Sequence, residues 1–98
     1  MPTNNEIIRG FTVKMTFSKS VEEDEFYKII EEVPKLLNQA GRVLRCLPFK
    51  RISKDDGSET ILNFTVDLAS FPGQARRNVI EDTIAKHYDE AEVLVLVD

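Results

Sequence analysis

Residues 11–40 read FTVKMTFSKSVEEDEFYKIIEEVPKLLNQA, and the hydrophobic period changes once inside them. From Phe11 to Phe17 the side chains alternate. Phe11, Val13, Met15 and Phe17 share one side and Thr12, Lys14 and Thr16 the other, the two-residue period of a half-buried strand. From Val21 to Ala40 the period lengthens to that of a helix, with Phe26, Ile29, Ile30, Val33, Leu37 and Ala40 on one stripe. A strand with one dry and one polar face suits an antiparallel sheet covered on one side only. Ser20-Val21-Glu22-Glu23 has the S-x-x-E form of a capping box, which places the helix start there, and Gly41 is a natural stop. Acids in that first turn complement the helix dipole, and Asp24–Lys28 and Glu31–Lys35 are well-oriented pairs on the wet side. Pro34 is the anomaly: an interior proline removes one backbone bond at a cost of about 3 kcal/mol, so a tolerated kink or a break with a short continuation is expected.

Working outward from this stretch, Arg42–Ile52 reads as a second strand. Its Pro48 cannot donate to a ladder and belongs on an edge or at a bulge. Asp55-Asp56-Gly57 supplies a hairpin turn into a third strand, with Leu62, Phe64, Val66 and Leu68 inward and Ile61, Asn63, Thr65 and Asp67 outward. Ser70 and Pro72 open a second helix that runs to about His87 on Ala75, Val79, Ile80, Thr83 and Ile84, and Val93–Val97 is a final strand. The order β-α-β-β-α-β is that of the split βαβ, or ferredoxin-like, α+β sandwich. It implies a four-stranded antiparallel sheet in the order 4-1-3-2 with both helices on one face. The second strand is then an edge, in agreement with Pro48. The similarity to ribosomal and other ferredoxin-like domains is one of topology, with no motif behind it. A single domain over residues 1–98 is expected, with a loose polar terminus at 1–6.

Composition narrows the class without naming an activity. An apolar share of 42% beside 31% charged residues is that of a globular chain, and no apolar run approaches the roughly 20 residues of a membrane helix. No basic-then-apolar leader opens the sequence, and Cys46 is the sole cysteine, so a reducing cytoplasm is the expected compartment, a host's if the source is viral. The net charge of −4 is unevenly spread. Residues 21–32 carry six acids against Lys28, whereas residues 42–54 carry Arg42, Arg45, Lys50, Arg51 and Lys54 with no acid.

No catalytic constellation is visible. His87 is the sole histidine and reads as a surface or capping residue at a helix end, and one cysteine plus one histidine exclude zinc and iron–sulfur centres. Cys46, among Val43, Leu44 and Leu47, reads as a small buried hydrophobe. The Ser70–Gln74 segment leads into a helix N-terminus, where Gly73, Arg76 and Arg77 form a candidate anion site, although one glycine falls far short of a phosphate-cradling loop. Acylphosphatase, an enzyme of this topology, would imply a glycine-rich, arginine-bearing loop after the first strand. Phe17-Ser18-Lys19-Ser20 has neither feature.

The basic second strand is the strongest functional feature. If Leu44, Cys46 and Ile52 point inward, then Val43, Arg45, Leu47, Phe49 and Arg51 face out on the open sheet, with an aromatic between two arginines. Either the Val93/Val95/Val97 row or the Leu94/Leu96 row must also leave the helical side. Exposed apolar patches mark protein partners. The leading expectation is therefore a non-enzymatic protein-binding module, an adaptor, regulator or inhibitor, with no cofactor or metal and no membrane. Its contact residues are Arg45, Leu47, Phe49, Lys50, Arg51 and Lys54, and self-association as a homodimer is one form of it. Single-stranded RNA binding through the same basic strand ranks second, because Thr12, Lys14, Thr16, Asn63 and Thr65 leave the central strands without stacking aromatics. A small-ligand regulatory domain or enzyme at the second helix's N-terminus ranks third.

Overall fold

The alternation of residues 11–17 sorts them in space. A computed structural model describes residues 8–53, 56–70 and 76–97, with the side chains of Phe49, Lys50, Arg51, Ser53 and Ser70 outside that description. Its elements are β1 (Gly10–Phe17), α1 (Glu23–Leu37), β2 (Gly41–Ser53), β3 (Thr60–Ser70), α2 (Arg77–His87) and β4 (Ala91–Leu96). The strands form one antiparallel sheet in the order β2-β3-β1-β4, the expected order, and the fold is α+β. Phe11, Val13, Met15 and Phe17 of β1, Leu62, Phe64, Val66 and Leu68 of β3, and Val95 of β4 are all at most 3% exposed. Ile29, Val33 and Leu37 of α1 and Ile80 and Ile84 of α2 join the same core, so both helices cover one face of the sheet. No helix among the described residues is long and apolar enough to cross a membrane.

Local signals are overridden at both ends of α1. The Ser20–Glu23 box does not form: Glu22 is the N-cap, and it makes no side-chain capping bond. Val21 is instead drawn into the core, where its N–H donates to Thr60 Oγ1 at 3.0 Å, and a buried donor so satisfied outweighs an exposed cap. The acids Glu23, Asp24 and Glu25 still occupy the first turn, as the dipole favours. At the other end the helix stops at Leu37, ahead of Gly41, which opens β2. Asn38 is the C-cap, and its Oδ1 accepts the N–H of Val43 at 3.1 Å. Pro34 does not break the helix. It sits in the last turn, and its carbonyl accepts the Asn38 N–H at 3.1 Å.

The hairpin between β2 and β3 depends on Gly57, whose φ of 73° is open to glycine at little cost. Asp56 Oδ1 holds the turn by accepting the N–H of Ser58 at 3.0 Å and its hydroxyl at 2.6 Å. α2 begins at Arg77, with Arg76 as an extended N-cap. Val79, expected on its buried stripe, is 36% exposed, and Ile80 and Ile84 carry the packing. The loose terminus expected at 1–6, Lys54 and the segment 71–75, including Gly73 and Ala75, lie outside the described residues.

Candidate partner-docking face

Because both helices lie on one side, the other face of the sheet is left to the alternate residues of each strand. Their placement follows from register. Across the sheet from β2 to β4, Leu47, Thr65, Thr12 and Leu96 form one row. Asn63, Lys14 and Leu94 form the next, beside the Lys50 position, and Ile52, Ile61, Thr16 and Glu92 a third. At the far end Arg45 pairs with Asp67. On β4 it is therefore the leucine row that leaves the core, while Val95 is buried and Val93 and Val97 pack against the core.

The β2 register corrects the sequence expectation. A shift between Val43 and Arg45 leaves Leu44 as the extra residue, and a second shift between Pro48 and Lys50 falls on Phe49. Each extra residue reverses which side the strand presents. Val43, expected outward, stands opposite buried Leu68 and packs on the core, whereas Leu44 and Ile52, expected inward, are 59% and 42% exposed. Arg45 and Leu47 keep their outward placement, and Cys46 stays inward opposite Val66. Lys50 stands opposite Asn63 of the open row and Arg51 opposite Leu62 of the buried row. The simple alternation that would set Phe49 between Arg45 and Arg51 on one row is broken.

Charged positions on the face include Arg42 opposite Ala69, Lys14, Glu92 and a cross-strand pair. Arg45 Nη2 lies 2.7 Å from Asp67 Oδ2, a cross-strand ion pair with both side chains about half exposed, and such pairs contribute about 0–1 kcal/mol. The centre is lined by the hydroxyls and amide of Thr12, Thr16, Thr65 and Asn63, with half-buried Lys14 among them. Apolar side chains flank this centre: Leu47 and Ile52 on β2, and Leu94 and Leu96 on β4.

The other candidate residues are placed differently. Cys46 is half-buried, and loss of solvation pushes its thiol up to about 11, which makes it a poor nucleophile. His87 ties the helices together: its Nε2 is 3.1 Å from Glu32 Oε2, and the Tyr88 hydroxyl donates to the same oxygen at 2.6 Å. The Tyr88 bond holds the Glu32 carboxyl below its usual range, while burial and that carboxylate raise the Tyr88 phenol. A shallow cavity of about 270 Å³ is lined by Leu36, Gln39, Thr83, Lys86 and His87, and the Thr83 hydroxyl there donates to the Val79 carbonyl at 2.7 Å. At the start of α2, Arg77 Nε turns toward Glu81 Oε2 at 3.9 Å, and Arg76 Nε is buried without a hydrogen-bond partner. Among the described residues no group of three or more His, Cys, Asp and Glu is placed to hold a metal.

Contacts whose partners are far apart in the chain escape sequence reasoning, and two more of them bear on these residues. One is the Glu32–His87–Tyr88 clamp. The other is Glu81, whose Oε2 accepts the N–H of Val95 at 2.8 Å and so occupies a donor on the free edge of β4. Comparison with protein-family models, with curated proteins and with solved structures finds no match to this chain. The functional reading therefore rests on the geometry of the sheet.

Proposed function

We propose that the chain is a ferredoxin-like, non-enzymatic binding module, an adaptor, regulator or inhibitor that works by docking a protein on the open face of its sheet. The observation that carries this reading is the exposure of Leu47, Ile52, Leu94 and Leu96 (52%, 42%, 38% and 43%) on one face, around a polar centre. Fully burying a large aliphatic side chain gains about 1.5–3 kcal/mol, and these four, about half exposed on the two edge strands, keep roughly half of that gain unused by the fold. Threonine and asparagine between them give a partner hydrogen bonds without the desolvation cost of charges. A protein surface matches this pattern better than RNA does. The described residues of β1 and β3 on this face include no aromatic for base stacking, and Arg45 is already engaged with Asp67.

Affinity capture from cells of origin, with and without nuclease, tests the reading. A protein partner, the chain's own copies included, should survive nuclease and low-salt washing. It should be lost from a Leu47→Glu, Leu94→Glu variant and kept by Tyr27→Glu on α1. Retention by the double variant, or loss of every partner on nuclease treatment, contradicts the reading.

A further inference from the structure

We propose that the Glu81 carboxylate closes the outer edge of β4 to strand addition and so keeps copies of this chain from pairing through the apolar Val93–Val97 segment. Glu81 acts from α2, independently of any partner on the open face.

The two edges of the sheet differ in what protects them. On β2, Pro48 lacks an N–H, and two register shifts break the ladder that an added strand would need. β4 has neither device. Its register against β1 is unbroken from Ala91 opposite Phe17 to Leu96 opposite Thr12, and it contains no proline. Residues 93–97 read Val-Leu-Val-Leu-Val, an uncharged run of strong strand formers, the kind of edge segment on which another chain pairs.

What β4 offers an incoming strand is decided by its outward N–H groups. The Val95 N–H points away from β1, and Glu81 Oε2 accepts it at 2.8 Å. Peptide groups alternate in direction along a strand, so the N–H groups of Ala91 and Val93 share that outer edge. The Ala91 N–H is taken by the Tyr88 carbonyl at 3.0 Å. Val93 is then a single donor between two occupied ones, and a ladder needs a run of them. Releasing Val95 joins it to Val93 in such a run. Glu81 is well placed to prevent that. Its carboxylate binds an N–H about twice as strongly as the neutral carbonyl of an incoming strand would, and being on the same chain it loses no association entropy. Arg77, four residues earlier on α2, faces the same Oε2 at 3.9 Å, and the Glu81 side chain is 23% exposed, so it is held over the strand rather than free in solvent.

The test uses the purified full chain and variants that separate reach from charge. Glu81→Asp keeps the charge but is one methylene too short for Val95, whereas Glu81→Gln loses the charge and keeps an acceptor at the right length. Circular dichroism and urea unfolding identify the variants that fold, and Glu81→Asp serves where Glu81→Ala does not. In sedimentation velocity over a wide concentration range, Glu81→Ala and Glu81→Asp should associate at least tenfold more tightly than wild type, and Glu81→Gln should stay within about threefold of it. Adding Leu47→Glu on β2 should leave that association unchanged, because the open face takes no part in it. Amide hydrogen exchange followed by NMR should slow at Val93 and Val95 as the concentration of Glu81→Asp rises, with no such change in wild type. A folded Glu81→Asp no more associated than wild type, or an equal gain in Glu81→Gln, overturns the proposal. Loss of association on adding Leu47→Glu, or exchange at Val93 and Val95 indifferent to concentration, overturns it as well.

Discussion

The two faces of the sheet are built by the same strands and do opposite work. On the covered face, Phe11, Val13, Met15, Leu62, Phe64 and Val66 are almost fully removed from water beneath α1 and α2. One residue along each strand, the open face keeps leucines and isoleucines in solvent and sets them around threonines and an asparagine. The covered face supplies the stability of the fold. The open face contributes little to it, and its pattern is instead that of a surface awaiting contact. A mutation's distance from the sheet axis matters less than which side of the pleat it falls on.

The contrast is broken most severely from the covered side. Phe64→Ala, at a fully buried position, is expected to cost about 3–5 kcal/mol in urea unfolding, through lost transfer energy and the cavity left behind. Thr60→Ala should cost about 1–3 kcal/mol in the same measurement, because the buried N–H of Val21 loses its acceptor. Glu32→Gln, at the exposed clamp between the helices, should cost about 0.5–1 kcal/mol at neutral pH. The sign of its pH dependence follows from the lowered Glu32 carboxyl. Its contribution is present above the ordinary value of 4.5 and is lost as pH falls through the lower folded value, so wild type and variant should converge in acid denaturation. Leu94→Ser on the open face should change stability least, by under about 0.5 kcal/mol, while weakening partner capture the most.

Legibility in the sequence follows the same division. β1 and β3 are plain because each has one core-facing row and one solvent-facing row, and alternation encodes that difference directly. Four alternating core residues in each fixed the central pair, and Pro48 fixed an edge. The register of β2 was legible only in part: Pro48 pointed to a bulge, and the second shift falls beside it at Phe49, but no glycine or proline announces the extra residue Leu44. The start of α1 was misjudged for a different reason: Ser20 and Glu23 have the local form of a cap, but Thr60, far along the chain, captures the Val21 N–H. At the candidate site, the choice between the valine and leucine rows of β4 was posed by the sequence and decided by the position of α2. Ile52 and Ile61 emerged as an open-face pair only once the second shift was placed.

Site-specific photo-cross-linking tests the central claim most directly, with one photoreactive residue replacing Thr65 in the middle of the open face and another replacing Asp82 on the exposed side of α2. Irradiation in cells of origin should yield protein adducts from position 65 and none above background from position 82. Nucleic-acid adducts from position 65, or equal protein adducts from both positions, would contradict the assignment of the open sheet face as the docking surface.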